Sequence, residues 1–239
     1  MSFSNIYFIL HKPQLSENIG ACARALKNFN FRNLILINPK VSFPNDKILA
    51  TSVGAKDVVK KSKTFEKLEP ALKKIDYLIA TTSRFRNKNI KHINIKDLSK
   101  IDFNKNTGFL FGSEASGLSN EEISYANCVL QIPTNPKFKS LNLSHSLIII
   151  CQLVASILRS KTSKYSKSNK IKTASKADIQ VMVNFFVNQL DKLNFFKFNE
   201  KKPIMLENLK SIFYKMNLSK KEIRILSSIF AALSKKKAD

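Results

Sequence analysis

The chain is 239 residues long and 44% hydrophobic, enough to pack a core and too apolar for a disordered chain. Lys and Arg number 41 against 17 Asp and Glu, a formal charge of +24 that disfavours compaction by self-repulsion and invites a polyanion. Nucleic acid leads, an anionic membrane surface follows, and a Lys-, Asn- and Ile-rich genome would also raise this charge.

In chain order, Ile6–Leu10 reads as a strand and Asn18–Asn28 as a helix. At about 100° per residue, Ile19, Cys22, Ala23, Leu26 and Phe29 share one helical face. Arg24 falls on the opposite flank with Gly20, Lys27 and Asn28, either as a solvated arginine or as one held for chemistry. Asn33–Asn38 is a strand, Phe65–Ile75 a helix, and Asp76–Thr82 and Thr107–Gly112 are strands. Ser119–Ala126 is a helix whose Ser119 and Glu122 have the spacing of a capping box. Cys128–Pro133 is a strand, and Leu141–Arg159 is a long apolar helix. The strands lack in/out alternation, as strands covered on both faces do, so the class is α/β with a mainly parallel sheet and helices on both faces. The apolar block Leu147–Leu158 is too short for a bilayer and holds Gln152, so it reads as the core helix of a soluble protein.

The composition then shifts. Arg159–Lys176 carries seven basic residues and no acid, as a flexible linker or an RNA-contacting one. Three amphipathic helical stripes follow: Ile179, Met182, Val183, Phe186 and Leu190; Leu206, Leu209, Ile212, Phe213 and Met216; Ile223, Leu226, Phe230 and Leu233. Ser219 and Glu222 form another capping box. Phe185, Phe186, Phe195, Phe196 and Phe198 suit packing or a dimer contact better than base stacking. The expected organisation is a main domain over 1–159, a basic linker over 160–176 and a helical C-terminal extension over 177–239.

Cys22, Cys128 and Cys151 are odd in number and far apart, and His11, His92 and His145 are scattered. Neither a disulfide framework nor a metal site is expected, which fits a reducing cytoplasm. The N-terminus lacks the order of a signal peptide.

Three stretches stand out chemically. The first is the helix containing Asn18 and Arg24. In the second, Gly112 and Gly117 frame a loop between a strand and a helix, with Ser119 two residues on. The spacing approaches a phosphate-binding P-loop, but Leu118 stands where the lysine is required, and no G-x-G-x-x-G exists. An NTPase and an ordinary dinucleotide site are therefore rejected. The loop is either a tight turn with a solvent-facing Glu114 or a place of close backbone approach. In the third, Ser140, Asn142 and Ser144 precede the apolar helix, as a helix cap or as a pocket wall.

Taken together, "PQLSENIGACARALKNFNFRNLILINP", "GFLFGSEASGLSNEEI" and "IPTNPKFKSLNLSHSL" resemble, in order and spacing, the three signature motifs of the SpoU/TrmH family within the SPOUT superfamily. The "NPKF-x-SLNL" form, the "GAKDVV" segment and the C-terminal extension are most similar to the TrmJ branch. The resemblance covers about residues 4–160; the tail matches only in length and helical character. It implies 2′-O-ribose methylation of RNA with S-adenosylmethionine as donor. It also implies a homodimer with the active site at the subunit interface and a C-terminal trefoil knot that forms the cofactor site. Asn18 and Arg24 match the functional residues of the first motif, Glu114 that of the second, and Ser140 and Asn142 those of the third. Thr81, Thr82, Ser83, Gly112, Ile132, Ser140 and Leu141 are the implied cofactor contacts. Arg24 would bind an RNA phosphate and Asn18 would hold Arg24. The branch points to tRNA, at the pyrimidine that opens the anticodon loop (nucleotide 32). Arg84, Arg86, Lys88, Lys91 and the linker are candidate phosphate contacts. Ribosomal RNA is the alternative substrate within the family, and a catalytically inactive RNA-binding knot is the alternative of a different class.

Overall fold

A computed structural model describes residues 3–83, 90–161, 173–196 and 201–235. Its centre is a sheet of β1 (Ile6–His11), β2 (Asn33–Ile37), β3 (Lys63–Phe65), β4 (Tyr77–Thr81), β5 (Lys91–Ile93), β6 (Thr107–Phe111) and β7 (Cys128–Leu130). Their order is β3-β2-β1-β6-β4-β7-β5, and every pairing is parallel. The five strands read from the sequence are the buried ones. The two missed strands, β3 and β5, are three-residue edges with exposed lysines and no apolar run to mark them.

Successive strand residues feed opposite faces, so each face acquires its own core. On one face Ile6, Phe8, Leu10, Leu34, Leu36, Phe109 and Phe111 meet α1 (Ser16–Asn28), α2 (Asp46–Thr51), α3 (Lys56–Lys61) and α6 (Leu143–Lys161). Phe8 stacks on Phe109 at 5.5 Å between ring centroids and packs against Phe31 at 5.1 Å. On the other face Ile9, Ile35, Leu78, Leu110 and Val129 meet α4 (Leu68–Ala71), α5 (Asn120–Ser124), α7 (Lys176–Lys192) and α8 (Lys202–Lys215). The last helix, α9 (Lys220–Lys235), lies against this layer through Ile223, Leu226 and Phe230.

The helix read over Phe65–Ile75 is one turn, α4, preceded by β3. Its apolar spacing is real, since Leu68, Ala71, Leu72 and Ile75 are buried, but the chain leaves the helix at Leu72 to enter β4. The capping box before α5 is complete in both directions. Ser119 N–H donates to Glu122 Oε2 at 2.7 Å, and Glu122 N–H donates to Ser119 Oγ at 3.2 Å. In the C-terminal helices Phe213 is buried as the stripe predicts, whereas Ile212, Met216 and Leu233 face outward.

Helix α6 extends beyond the apolar block, and Leu143–Ser160 is long and apolar enough to cross a membrane by length and composition. Leu143, Leu147, Ile150, Cys151, Val154 and Ala155 form its buried stripe, in the same core as Ile19, Cys22, Ala23 and Leu26 of α1.

Candidate active site

Because β6, β4 and β7 are neighbours, the loops leaving their C-terminal ends converge, where open α/β sheets bind ligands. They enclose a cleft lined by Thr81, Thr82 and Ser83 at the end of β4, Phe111 to Leu118 at the end of β6, and Ile132 and Lys139 to Leu141 after β7. All seven positions implied for the cofactor line it. Thr81 Oγ1 donates to Leu110 O at 3.0 Å, Thr82 N–H to Leu130 O at 3.2 Å, and Gln131 Nε2 to Ser83 O at 3.3 Å. These bonds tie the three strand ends together.

The β6 loop closes on itself. A Cβ on Gly112 would stand 2.2 Å from the Gly117 carbonyl carbon, so close approach here is between two stretches of the same loop. Gly117 turns the chain at φ 68°, in the left-handed region that favours glycine. The tight-turn reading is therefore right, but its glutamate is not simply solvated. Glu114 Oε2 accepts from Gln14 N–H at 2.9 Å, and its Oε1 accepts from Leu15 N–H at 3.3 Å and from Asn18 Nδ2 at 2.8 Å. Helix α1 has no side-chain cap of its own at Leu15. Glu114 supplies one from 99 residues away, with its negative charge at the positive end of the helix. In return, Gln14 Oε1 accepts from Ala115 N–H at 3.1 Å.

Asn18 completes the junction. It is buried, and its Oδ1 accepts from Asn142 Nδ2 at 2.9 Å. Asn142 also caps α6, its Oδ1 accepting from Ser144 N–H at 2.8 Å. The cap and the pocket wall, alternatives in the sequence, are both present on neighbouring residues: Asn142 caps, and Ser140 and Leu141 line the cleft. Residues Glu114, Asn18 and Asn142, one from each motif, form a continuous chain of hydrogen bonds beside the cleft. Ser140 lies exposed at its edge.

Arg24 stands apart from this chain. It is exposed, and it makes no hydrogen bond or ion pair among the described residues. Asn18 does not hold it, because both polar atoms of Asn18 are engaged by Glu114 and Asn142. Gly20 also leaves the open flank: a Cβ there would meet Thr51 Oγ1 at 2.0 Å, so this glycine lets α2 pack onto α1. The flank that remains open carries Glu17, Arg24, Lys27 and Asn28, with Lys27 paired to Asp57 at 2.6 Å.

Of the expected RNA contacts, Arg84, Arg86 and Lys88 lie outside the described residues, and Lys91 is exposed on β5. The linker's last residue, Lys176, is not an RNA contact. It is buried, donates from Nζ to Tyr214 O at 3.0 Å, and burial pushes its pKa down to about 7. Burial likewise raises all three thiols, Cys128 to about 11, so none is a ready nucleophile. Among the described residues no His, Cys, Asp and Glu cluster could hold a metal ion. Sequence reasoning missed Gln14 and Lys139. The first lies four residues before Asn18 and the second directly before Ser140.

Comparison with known proteins identifies the family and the fold. Residues 5–152 match the SpoU rRNA Methylase family. A Methanocaldococcus jannaschii protein named tRNA (cytidine-2′-O-)-methyltransferase TrmJ is 31% identical, over 88% of this chain and 89% of its own. A Sulfolobus acidocaldarius protein of the same name is 29% identical, over 97% and 96%. The crystal structure of TrmJ from Z. mobilis ZM4 superposes with a TM-score of 0.84 at 26% identity, covering 95% of this chain and 98% of that one. On the match over residues 5–152 and the identity to the Methanocaldococcus jannaschii protein, the chain belongs to the SpoU methylase family.

Proposed function

We propose that this protein transfers a methyl group from S-adenosylmethionine to a ribose 2′-hydroxyl of tRNA, at the pyrimidine opening the anticodon loop. The observation that carries the reading is the hydrogen-bonded chain Glu114–Asn18–Asn142 beside the three-loop cleft. The cleft suits the cofactor. Hydroxyls of Thr81, Thr82, Ser83 and Ser140 sit beside apolar Phe111, Leu118, Ile132 and Leu141, a lining for an adenosine and an amino acid. It lacks the P-loop lysine that a triphosphate needs. The tRNA assignment draws on the names of the relatives above.

S-adenosylmethionine bound there supplies a methyl group already activated on a sulfonium sulfur. The protein's own task is to align the 2′-oxygen with that methyl and to let its proton leave. The transfer would form an O–CH3 bond as the S–CH3 bond breaks, leaving S-adenosylhomocysteine as the neutral thioether, with the proton passing to water or phosphate. A guanidinium is a poor general base, so Arg24 is not given that role. It instead pairs with the RNA phosphate and lowers the hydroxyl pKa, while Ser140 and Asn142 orient ribose and cofactor.

Arg24 is exposed on α1, and α6 beside it presents Ile148 outward. An exposed arginine without a partner among the described residues, on a helix packed against one that presents Ile148 outward, suits a homodimer in which this flank meets the cleft of the second subunit. The trefoil knot implied by the motifs belongs to the same reading, with the loop after β7 passing through the cleft region. Ribosomal RNA is the second reading, favoured by the description of the matched family. Methyl-labelled cofactor incubated separately with total tRNA and with ribosomal RNA distinguishes the two. Label in tRNA supports the first reading, label confined to ribosomal RNA the second, and label in neither contradicts both in favour of a non-catalytic binder.

A further inference from the structure

Phe138 is the most exposed large apolar side chain among the described residues, 75% of its surface facing solvent. A lone exposed apolar residue is ordinary, but this setting is not. Phe138 N–H donates to Asn135 O at 2.9 Å, Asn135 Oδ1 accepts from Lys137 N–H at 2.9 Å, and Thr134 Oγ1 donates to Lys139 O at 3.3 Å. Held at three points, the turn carries the phenyl ring between two exposed lysines, Lys137 and Lys139. The residues that follow, Lys139, Ser140 and Leu141, line the cleft, and Asn142 joins the hydrogen-bonded chain. An aromatic ring flanked by ammonium groups therefore stands at the lip of the site.

We propose that Phe138 is a platform on which an unpaired nucleobase of the RNA substrate stacks, with Lys137 and Lys139 pairing to the flanking phosphates. The inference rests on the RNA methyltransferase reading and extends it to a binding residue. A ribose in an RNA loop becomes accessible when its base or a neighbouring base unstacks, and aromatic side chains receive such bases. Every base has a π-face, so the ring gives affinity with little sequence demand. The turn is set before RNA arrives, which reduces the ordering cost of binding. Duplex RNA offers no free base and should gain nothing from the ring.

The chain contains no tryptophan, so Phe138→Trp installs a single fluorescent reporter. An anticodon stem-loop should quench that fluorescence, and a fully paired duplex of equal length should not. In the transfer assay Phe138→Ala should raise the KM for RNA by about 5- to 150-fold while cofactor affinity stays unchanged. Phe138→Trp should keep wild-type KM, and Phe138→Leu, apolar but without a π-face, should behave as Phe138→Ala. Each of three results overturns the platform: stem-loop RNA leaves the fluorescence unchanged, Leu restores KM as fully as Trp, or Phe138→Ala alters the oligomeric state, which marks a subunit contact. Quenching of the Phe138→Trp protein by RNA, alongside a wild-type protein that transfers no methyl, would keep the platform and fail the enzymatic reading, so the two can fall separately.

Discussion

Asn18 donates to Glu114 at 2.8 Å and accepts from Asn142 at 2.9 Å, joining three segments that lie up to 124 residues apart in the chain. Asn18, at the centre of this junction, is buried, so removing either of its bonds leaves a polar atom that water reaches poorly. Asn18→Ala should cost about 1–3 kcal/mol of stability. Transfer should fall further, on the order of a hundredfold where the loops shift by roughly 1 Å. Thermal melting and initial rates, measured on the same preparation, check the two effects.

Glu114→Ala removes the cap of α1 along with one end of the junction. The loss should be about 1–2 kcal/mol, the range for a helix cap, or roughly 2–8 °C in melting temperature for a chain of this size. A melting curve unchanged within 1 °C or so would mean that Glu114 is not what holds α1.

Arg24→Ala is the opposite case. An exposed residue without a partner among the described residues should leave stability within about 0.5 kcal/mol of wild type. Methyl transfer should be abolished while cofactor affinity, measured by calorimetry, stays nearly unchanged. Arg24→Lys keeps the charge and loses the planar fork, so partial activity there would separate charge from geometry.

The contrast between Asn18 and Arg24 explains what the sequence could reveal. Apolar runs marked the five buried strands, and residue spacing marked the capping boxes and the stripe through Phe213, because these are local patterns. Edge strands β3 and β5 are too short and too polar to leave one. Motif order gathered Asn18, Glu114, Ser140 and Asn142 into one candidate site, but it held no information on which of them bond. The family resemblance led to the expectation that Asn18 holds Arg24, which lies six positions further along the same helix. At about 1.5 Å rise per residue that is roughly 9 Å, whereas Glu114 arrives from another loop at hydrogen-bond distance. Gly20 misled for a similar reason. Glycine looks polar on a helical wheel, and only the crossing of α2 reveals that it is buried.

Gly112→Ala should be poorly tolerated. Its Cβ would lie 2.2 Å from the Gly117 carbonyl carbon and 2.4 Å from Leu118 N, so the loop has to open. The expected cost is about 1–3 kcal/mol, with cofactor affinity reduced at least tenfold because the loop forms one wall of the cleft. Titration calorimetry with S-adenosylmethionine measures it directly.

Lys176 links stability to pH. Its folded pKa is about 7 against an ordinary 10.5, so between those values the unfolded chain binds a proton that the folded chain does not. Its contribution to stability therefore rises with pH across that window. Cys128 and the buried tyrosines Tyr77, Tyr125 and Tyr214 have raised values and act in the opposite sense at higher pH. The test is thus the difference between wild type and Lys176→Met in urea unfolding from pH 7 to 9. Wild type should gain on the variant as pH rises; a constant difference would mean that Lys176 does not titrate in this range.

Nucleoside mapping tests the central claim most directly. RNA is incubated with the protein and methyl-labelled S-adenosylmethionine, digested to nucleosides and analysed by mass spectrometry, with Arg24→Ala in parallel. The account predicts label on the ribose of a pyrimidine nucleoside from tRNA with wild-type protein and none with Arg24→Ala. Label on a base, or equal labelling by wild type and Arg24→Ala, would contradict it.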